Sequence, residues 1–364
     1  MHRILVIGAG NIGSLIAYLL AHSKDYHVYL ADVNIENEFL KQLTKKTKTK
    51  YLELVSLDAT NEKEVIQTLK QYNIETVVSS LPYYRNPLII RITQQLNLHY
   101  FDLTEDVKTA AIASQLPSQL TAAVVPQCGL APGFISIVAN HLLKDFSEVD
   151  SLKMRVGALP VNVSNALQYS LTWSTDGLIN EYDNPCHAIE NSQRIELLPL
   201  DDIEEIKIDG LTYEAFNTSG GLGSLVNSLL GKVKELNYKT IRYPGHCEKM
   251  RFLMHDLKLN QDRETLKRIL ENALPRTSQD VVLIYVVAIG KKNQQYYEKN
   301  YVRKFYPQTI GDMQWSAIQV TTASALCAVL DMVMQDSSHY QGLVHQERFA
   351  FNEFIKNRFG KCYA

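Results

Sequence analysis

The apolar run Arg3-Ile4-Leu5-Val6-Ile7 feeds directly into Gly8-Ala9-Gly10-Asn11-Ile12-Gly13, and Asp32 follows about twenty residues later. No other feature of the chain restricts its folding so tightly. The run predicts a buried strand, and the glycines predict a turn that opens a helix. Gly8 permits the turn, Gly10 lets a pyrophosphate approach the backbone, and Gly13 lets the helix pack close to the strand. Asn11 and Ile12 begin a helix whose free N–H groups and positive dipole end suit phosphate. Apolar residues at Ile12, Leu15, Ile16, Leu19 and Leu20 keep helical spacing, and a second strand, His27 to Ala31, ends at Asp32. A carboxylate there accepts bonds from ribose hydroxyls and repels a 2′-phosphate. No Lys or Arg follows until Lys41, which favours NAD over NADP.

At 364 residues the chain is long enough for two domains. It is 46% hydrophobic and 21% charged, with a net charge of -2, which points to no nucleic-acid partner. Lys41, Lys45, Lys46, Lys48 and Lys50 read as a solvated face. The first strand starts at Arg3, leaving no room for a leader, and the expectation is a cytoplasmic protein. Ala317 to Met334 is apolar but carries Gln319 and Asp331, so it reads as a core helix and not a membrane span. Five cysteines with no CxxC read as reduced thiols, and no metal site is expected.

Strand and helix patterns alternate over the first 125 residues or so: strands at Tyr51 to Ser56, Thr76 to Ser80, His99 to Leu103 and Ala122 to Val125, with helices between them. This predicts an α/β fold, a doubly wound parallel sheet of Rossmann type. Ligands bind such sheets beyond the carboxyl ends of the strands. That rule selects Gly8 to Gly13, Asp32-Val33, Asp58-Ala59, Ser80-Leu81-Pro82, Asp102 and Cys128. From Pro132 the pattern changes. Segments at Ser151 to Leu159, Ala166 to Trp173, Arg194 to Pro199, Ile203 to Ile208, Leu211 to Phe216, Lys239 to Tyr243 and Val281 to Ile289 read as strands of a mixed or antiparallel sheet. The last of these is paired with Tyr297 to Tyr306. Helices are expected at Trp315 to Met334 and, amphipathic, at Gln346 to Arg358. The division expected is therefore 1–131 plus 310–364 for nucleotide binding, with 132–309 as an inserted α+β domain for substrate and oligomerisation.

Several further stretches are distinctive: Cys128-Gly129-Leu130-Ala131-Pro132-Gly133, Leu171-Thr172-Trp173-Ser174, Leu178 to Tyr182, Tyr213 to Phe216, and Arg242-Tyr243-Pro244-Gly245-His246. Together with the glycine motif and Val28 to Val33, they resemble the saccharopine dehydrogenase-like family, and within it the lysine 6-dehydrogenases. The resemblance implies NAD(P)-linked oxidation of an amine on an amino acid, through an interconversion of a C–N single bond and an imine. It implies oxidative deamination of L-lysine at its 6-amino group to the semialdehyde, which cyclises to a piperideine carboxylate. The Gly220-Gly221-Leu222-Gly223 stretch has more glycine than that pattern.

The reaction needs a base for the amine nitrogen, while the cofactor performs the redox step. Asp102 is placed to bind a substrate ammonium or act as base, with a helix cap or a salt-bridge partner as the alternative. Arg242 suits a substrate carboxylate through its planar fork, with a structural salt bridge as the alternative. His246 is the group expected to titrate near neutral pH, with a catalytic role or a structural one, and Trp173 either lines the substrate's aliphatic chain or packs in the core. Asp58 either binds adenosine or caps the following helix, and Ser80-Leu81-Pro82 lies at the nicotinamide ribose or merely ends its strand. Cys128 touches cofactor or substrate, or simply packs. A saccharopine dehydrogenase or reductase is the alternative enzyme. Its dicarboxylate would need a second cationic clamp, for which Arg155 and Arg251 are the candidates. A non-catalytic NAD-binding regulatory protein is the alternative outside enzymes. The partners expected are an amino-acid substrate and further copies of the chain, as a homodimer or larger homo-oligomer.

Overall fold

The structure, a computed structural model, describes residues 1–47, 49–115 and 120–364. Lys48 of the basic cluster lies outside them. The chain begins β1 (His2–Ile7), α1 (Asn11–His22), β2 (Tyr26–Asp32), α2 (Glu38–Thr47), β3 (Leu52–Ser56), α3 (Glu62–Gln71), β4 (Thr76–Ser79), α4 (Asn86–Gln95), β5 (His99–Asp102), α5 (Val107–Ala113) and β6 (Ala123–Val125). It continues α6 (Phe134–Leu143), β7 (Glu148–Pro160), α7 (Thr175–Asp183), β8 (Cys186–Glu190), β9 (Gln193–Leu197), β10 (Glu204–Ile208), β11 (Leu211–Asn217), α8 (Leu225–Leu229), β12 (Val233–Arg242), α9 (His246–Arg251), α10 (Arg263–Ala273), β13 (Asp280–Lys292) and β14 (Gln295–Phe305). It ends β15 (Gln308–Ile310), β16 (Met313–Trp315), α11 (Ala317–Gln335), β17 (Gly342–Leu343) and α12 (Phe351–Lys356). The contacts divide it into two compact units: Met1–Phe134 with Thr309–Met313 and Gln319–Ala364, and Ile135–Gln308 with Gln314–Ile318.

The first unit holds a seven-stranded sheet in the order β17-β6-β5-β4-β1-β2-β3. Every neighbouring pair is parallel. The strand order reverses between β1 and β4, which is where a doubly wound sheet opens its ligand crevice. Short runs such as Ile4-Leu5-Val6-Ile7 are fully apolar because helices cover both faces, and all four residues are buried. Local chemistry starts the helices: Asn61 caps α3 through the Glu64 N–H and Asp106 caps α5 through the Thr109 N–H. Helix α11 has the length and hydropathy of a membrane span, yet 72% of its apolar window is buried inside the protein.

Asp331, on α11, is fully buried and gathers the base of this unit. Its Oδ1 accepts from the Tyr26 hydroxyl at 2.5 Å and from Arg358 at 2.5 Å, and its Oδ2 from Asn357 at 2.8 Å and Gln335 at 2.9 Å. The tail departs from the continuous helix expected over Gln346 to Arg358. A short turn, Gln346–Arg348, gives way to extended backbone at Phe349 and Ala350 before α12. The break lets the Gln346 amide donate to the Pro126 carbonyl at 3.0 Å and lets Phe349 stack on Tyr340 at 5.1 Å. Periodicity could not foresee that exchange of helical bonds for burial.

The second unit holds an eight-stranded mixed sheet, β10-β11-β12-β7-β13-β14, with β8 and β9 attached to β12. Strands β12 and β7 are parallel, and the other neighbours along the path are antiparallel. The sheet curls. Arg155 on β7 pairs with Glu204 on β10 although β11 and β12 lie between them, and Lys304 reaches Asp209 at 2.9 Å across the two far edges. Leu159, Ala215, Ile241 and Leu283 fill the inside of the curl. Ala166 to Trp173 is not the strand expected. Gln168 takes a left-handed backbone, φ 52°, and the Asn165 amide donates to the Tyr169 carbonyl at 2.6 Å. Its alternating Tyr169 and Leu171 are buried against α7 and α10 rather than paired in a ladder. Strand β8 was missed altogether. The extra glycine at Gly221 has a packing cause, because a β-carbon there would stand 2.4 Å from the Tyr238 ring.

Asp331→Ala removes the shared acceptor of four groups. We expect a loss of about 3 kcal/mol, below that of a fully enclosed pair because Arg358 is about a third exposed. Thermal unfolding should show Tm lower by about 5–10 °C, and an unchanged Tm would refute the keystone role.

Candidate active site: a dinucleotide edge and a buried arginine–tyrosine–histidine chain

The glycine turn is shaped by close contact. A β-carbon on Gly13 would stand 1.9 Å from the Gly8 carbonyl oxygen, and one on Gly8 (φ +100°) would stand 2.7 Å from the Ser80 carbonyl. Those two glycines serve the protein's own packing. Gly10 differs: its φ is -68°, open to any residue, and nothing lies within 4 Å of where its β-carbon would be. The space above Gly10 is therefore a cradle that the fold itself does not fill, at the N-terminus of α1, and it fits a pyrophosphate. Asp32 closes the turn, its Oδ2 accepting the Ala9 N–H at 2.8 Å and its Oδ1 the Asn34 N–H at 3.0 Å. Asn11 and Val33 are exposed, and Val33 at 74% is the most exposed branched residue on this edge. Ile12, Ala59, Ser80 and Leu81 are part-buried beside them, and Pro82 is exposed. Asp58 is exposed and does not cap α3. Its Oδ1 accepts from the Thr60 N–H and hydroxyl at 2.8 and 2.7 Å, bonds that hold its carboxyl below the ordinary range.

Towards β5 and β6 the arrangement changes. Asp102 is fully buried. Its carboxylate accepts from the Tyr100 hydroxyl at 2.8 Å, the Asn86 amide at 3.3 Å, and the Thr104 and Gln127 N–H groups at 3.1 and 2.9 Å. Burial raises its pKa against the pull of those donors. This geometry makes Asp102 a pin for the strand ends, without a surface to offer a substrate. Cys128 is likewise enclosed. Its Sγ donates to the Val125 carbonyl at 3.0 Å, and burial pushes the thiol far above its usual range. One further carboxyl group beside β5 is not among the residues expected from sequence. Glu105 lies three residues beyond Asp102 and is part-buried, with burial and the neighbouring Asp106 and Asp102 raising its pKa to about 7. Its signal in sequence was an acid next to Asp106 in the loop after β5.

In the second unit, Arg242 at the end of β12 is buried, with its guanidinium 5.1 Å from the Tyr169 ring centroid. Its Nε donates to the Tyr182 hydroxyl at 2.9 Å, and its Nη1 to the Ile241 carbonyl at 2.9 Å. The Tyr182 oxygen lies 3.1 Å from His246 Nε2, and His246 Nδ1 lies 2.8 Å from the Leu167 carbonyl. A carbonyl only accepts, so Nδ1 carries the proton and Nε2 accepts from Tyr182. The chain thus runs one way, Arg242 to Tyr182 to His246 to Leu167. His246 is not the neutral-pH titrating group expected: burial, then the charge of Arg242, depress its pKa to about 3. Trp173 is part-buried, its indole N–H donating to the Tyr169 hydroxyl at 3.1 Å, so it joins this cluster from the rim. Glu181 supplies the negative charge acting on Arg242.

Comparison with known proteins shows the family to which the chain belongs. Residues 4–125 match the saccharopine dehydrogenase NADP binding domain, and residues 129–360 match the saccharopine dehydrogenase C-terminal domain. Apo saccharopine dehydrogenase (L-Glu forming) from Saccharomyces cerevisiae has the same fold, with a TM-score of 0.75 at 15% identity over 98% of this chain and 96% of that one. A carboxynorspermidine synthase from Vibrio alginolyticus is 23% identical over 174 residues, 41% of either chain, so the match spans less than half of that relative.

Gly10→Ala should leave Tm unchanged and weaken dinucleotide binding at least tenfold by calorimetry, whereas Gly13→Ala should lower both. Equal effects would refute the cradle. For His246 the sign follows from its depressed pKa. Unfolded histidine takes up a proton that the buried ring refuses, so stability declines as pH falls from about 6.5 towards 3. His246→Gln should flatten that decline in Tm measured between pH 7 and pH 4.

Proposed function

Because the chain belongs to the saccharopine dehydrogenase family, we propose that it is an NAD-dependent oxidoreductase of the C–N bond of an amino acid, acting on the 6-amino group of L-lysine. The observation that carries the cofactor choice is the Asp32 corner. Its carboxylate is bonded onto the glycine turn, and the first cation beyond it, Lys41, is paired with Glu36 at 3.3 Å. A 2′-phosphate would meet negative charge there, whereas ribose hydroxyls find acceptors. Gly8 to Gly13, Asp32, Val33, Asp58-Ala59 and Ser80 to Pro82 are assigned to holding the dinucleotide, and when bound it supplies the hydride acceptor.

Arg242 is assigned to the substrate carboxylate. Its two bonds to neutral oxygens and its stacking on Tyr169 fix the plane of its fork in advance. A saccharopine-sized dicarboxylate needs a second clamp, and the candidates are committed elsewhere. Arg155 is bound by Glu204 and by the Asn237 amide oxygen at 2.7 Å, and Arg251 is half exposed beside Asp201. That favours the smaller substrate. Five free thiols, four of them buried, suit the reducing compartment expected.

Purified protein with NAD+ and L-lysine should generate NADH absorbance, with less or none from saccharopine or polyamine-like amines, and with NADP+ at least tenfold poorer. Arg242→Lys should raise KM for the amine at least tenfold and leave NAD+ affinity within twofold. NAD+ binding without NADH from any of these amines would refute the enzyme reading in favour of a regulatory module.

A further inference from the structure

We propose that Glu105 is the catalytic carboxyl group at the nicotinamide end of the dinucleotide edge, taking the proton from the substrate's ammonium nitrogen. The inference rests on the amine-oxidation reading above and supplies the base that Asp102, His246 and Cys128 do not. All three are sealed in the protein, with their polar atoms committed.

Position is the first argument. In a doubly wound sheet the dinucleotide lies across the switch point, with its adenosine over the β2 and β3 side and its nicotinamide over β4 and β5. Glu105 leaves the carboxyl end of β5. The second argument is rigidity. On one side, Asp102 accepts the Thr104 N–H at 3.1 Å. On the other, Asp106 donates its N–H to the Thr104 hydroxyl at 3.2 Å and caps α5 through Thr109 at 2.7 Å. The Thr109 hydroxyl donates in turn to the Tyr83 carbonyl at 3.4 Å, joining this loop to the one that follows Ser80-Leu81-Pro82. A base must be held within reach of its proton, and this loop is fixed at both ends. The third argument is that the group is uncommitted. Apart from its own backbone N–H, no described residue bonds to the Glu105 carboxylate, and the residue is part-buried where Asp102 is fully enclosed. The charged groups acting on it are both carboxylates, Asp102 from β5 and Asp106 from α5. Lys108 and Arg85, the cations of the adjoining elements, are exposed.

The step moves one proton and no electrons through Glu105. An ammonium N–H bond breaks, an O–H bond forms on the carboxylate, and the neutral amine left behind can release a hydride from its carbon as the nitrogen lone pair forms the C=N bond. A pKa near 7 suits a group that must accept this proton and return it to water in each turnover.

Three readouts on the full chain and Glu105→Gln test this. Activity with L-lysine should fall at least 100-fold in the variant, and the wild-type rise of kcat through about pH 7 should vanish. Cofactor affinity gives a reading independent of substrate. Ionised Glu105 favours the cationic ring of NAD+ over NADH, so the ratio of the two dissociation constants should shift about tenfold between pH 6 and pH 8.5 in the wild type and stay flat in the variant. Stability gives another. A carboxyl raised from 4.5 to about 7 penalises the folded state increasingly between those values and fully above them. The variant should therefore melt about 2–5 °C higher at pH 8.5 and at the wild-type temperature at pH 4. A pH-dependent affinity ratio that persists in the variant, or wild-type turnover without Glu105, overturns the assignment. Failure of the amine-oxidation reading shows separately, as a wild-type chain that forms no NADH from any amine, and the affinity and melting readouts then still decide the carboxyl group.

Discussion

The first unit is organised around one contact too close for a side chain: the α1 backbone at Gly13 against the carbonyl oxygen of Gly8. Any β-carbon there would stand 1.9 Å from that oxygen. The contact draws the N-terminus of α1 over the end of β1 and brings Ser80 of the neighbouring strand end against both glycines. With the turn held by its own packing and by Asp32, Gly10 faces open space. The free N–H groups of α1 then surround a volume that the protein leaves empty. A phosphate site at a helix N-terminus needs that emptiness as much as it needs the dipole.

Farther along the same edge, buried polar networks replace glycines. Asp102 binds four donors and ties β5 to the start of α4 and to the segment after β6, while Asn86 in turn accepts from Ser79 at the end of β4. A carboxylate so satisfied is stable in the interior because each lone pair removed from water finds a donor. Its loop neighbour Glu105 has the opposite circumstances: it is held in place through its neighbours and left without partners. The second unit repeats this contrast with a cation. Arg242, Tyr182 and His246 form a chain whose direction is set at its far end by the Leu167 carbonyl, which can only accept. The histidine stays neutral, and the arginine keeps its orientation.

Much of this was legible in the residues. The glycine spacing with Asp32, the alternation to Val125 and the long pairing of Val281 to Ile289 with Tyr297 to Tyr306 all reflect short-range rules: turn geometry, strand period and hairpin adjacency. The misreadings have a common cause. Ala166 to Trp173 alternates like a strand but is turned by Gln168 and packed on helices. Gln346 to Arg358 has helical periodicity but is broken so that Phe349 and Gln346 can bury. Asp102 and His246 are the right residue types in the right neighbourhoods, but their roles depend on partners distant in sequence, such as Gln127 for one and Leu167 and Tyr182 for the other.

The sequence by itself therefore determined the nucleotide half, because a tight turn, a helix start and a strand-end carboxylate are local events written within some thirty residues. Tertiary structure decided which titratable groups are accessible and which are sealed. Accessibility and pKa depend on how many neighbours enclose a group and what charge they carry, and packing assembles those neighbours from several elements. Asp102 ends β5 and Glu105 stands three residues on in the loop that follows, and only the fold separates the pinned acid from the uncommitted one.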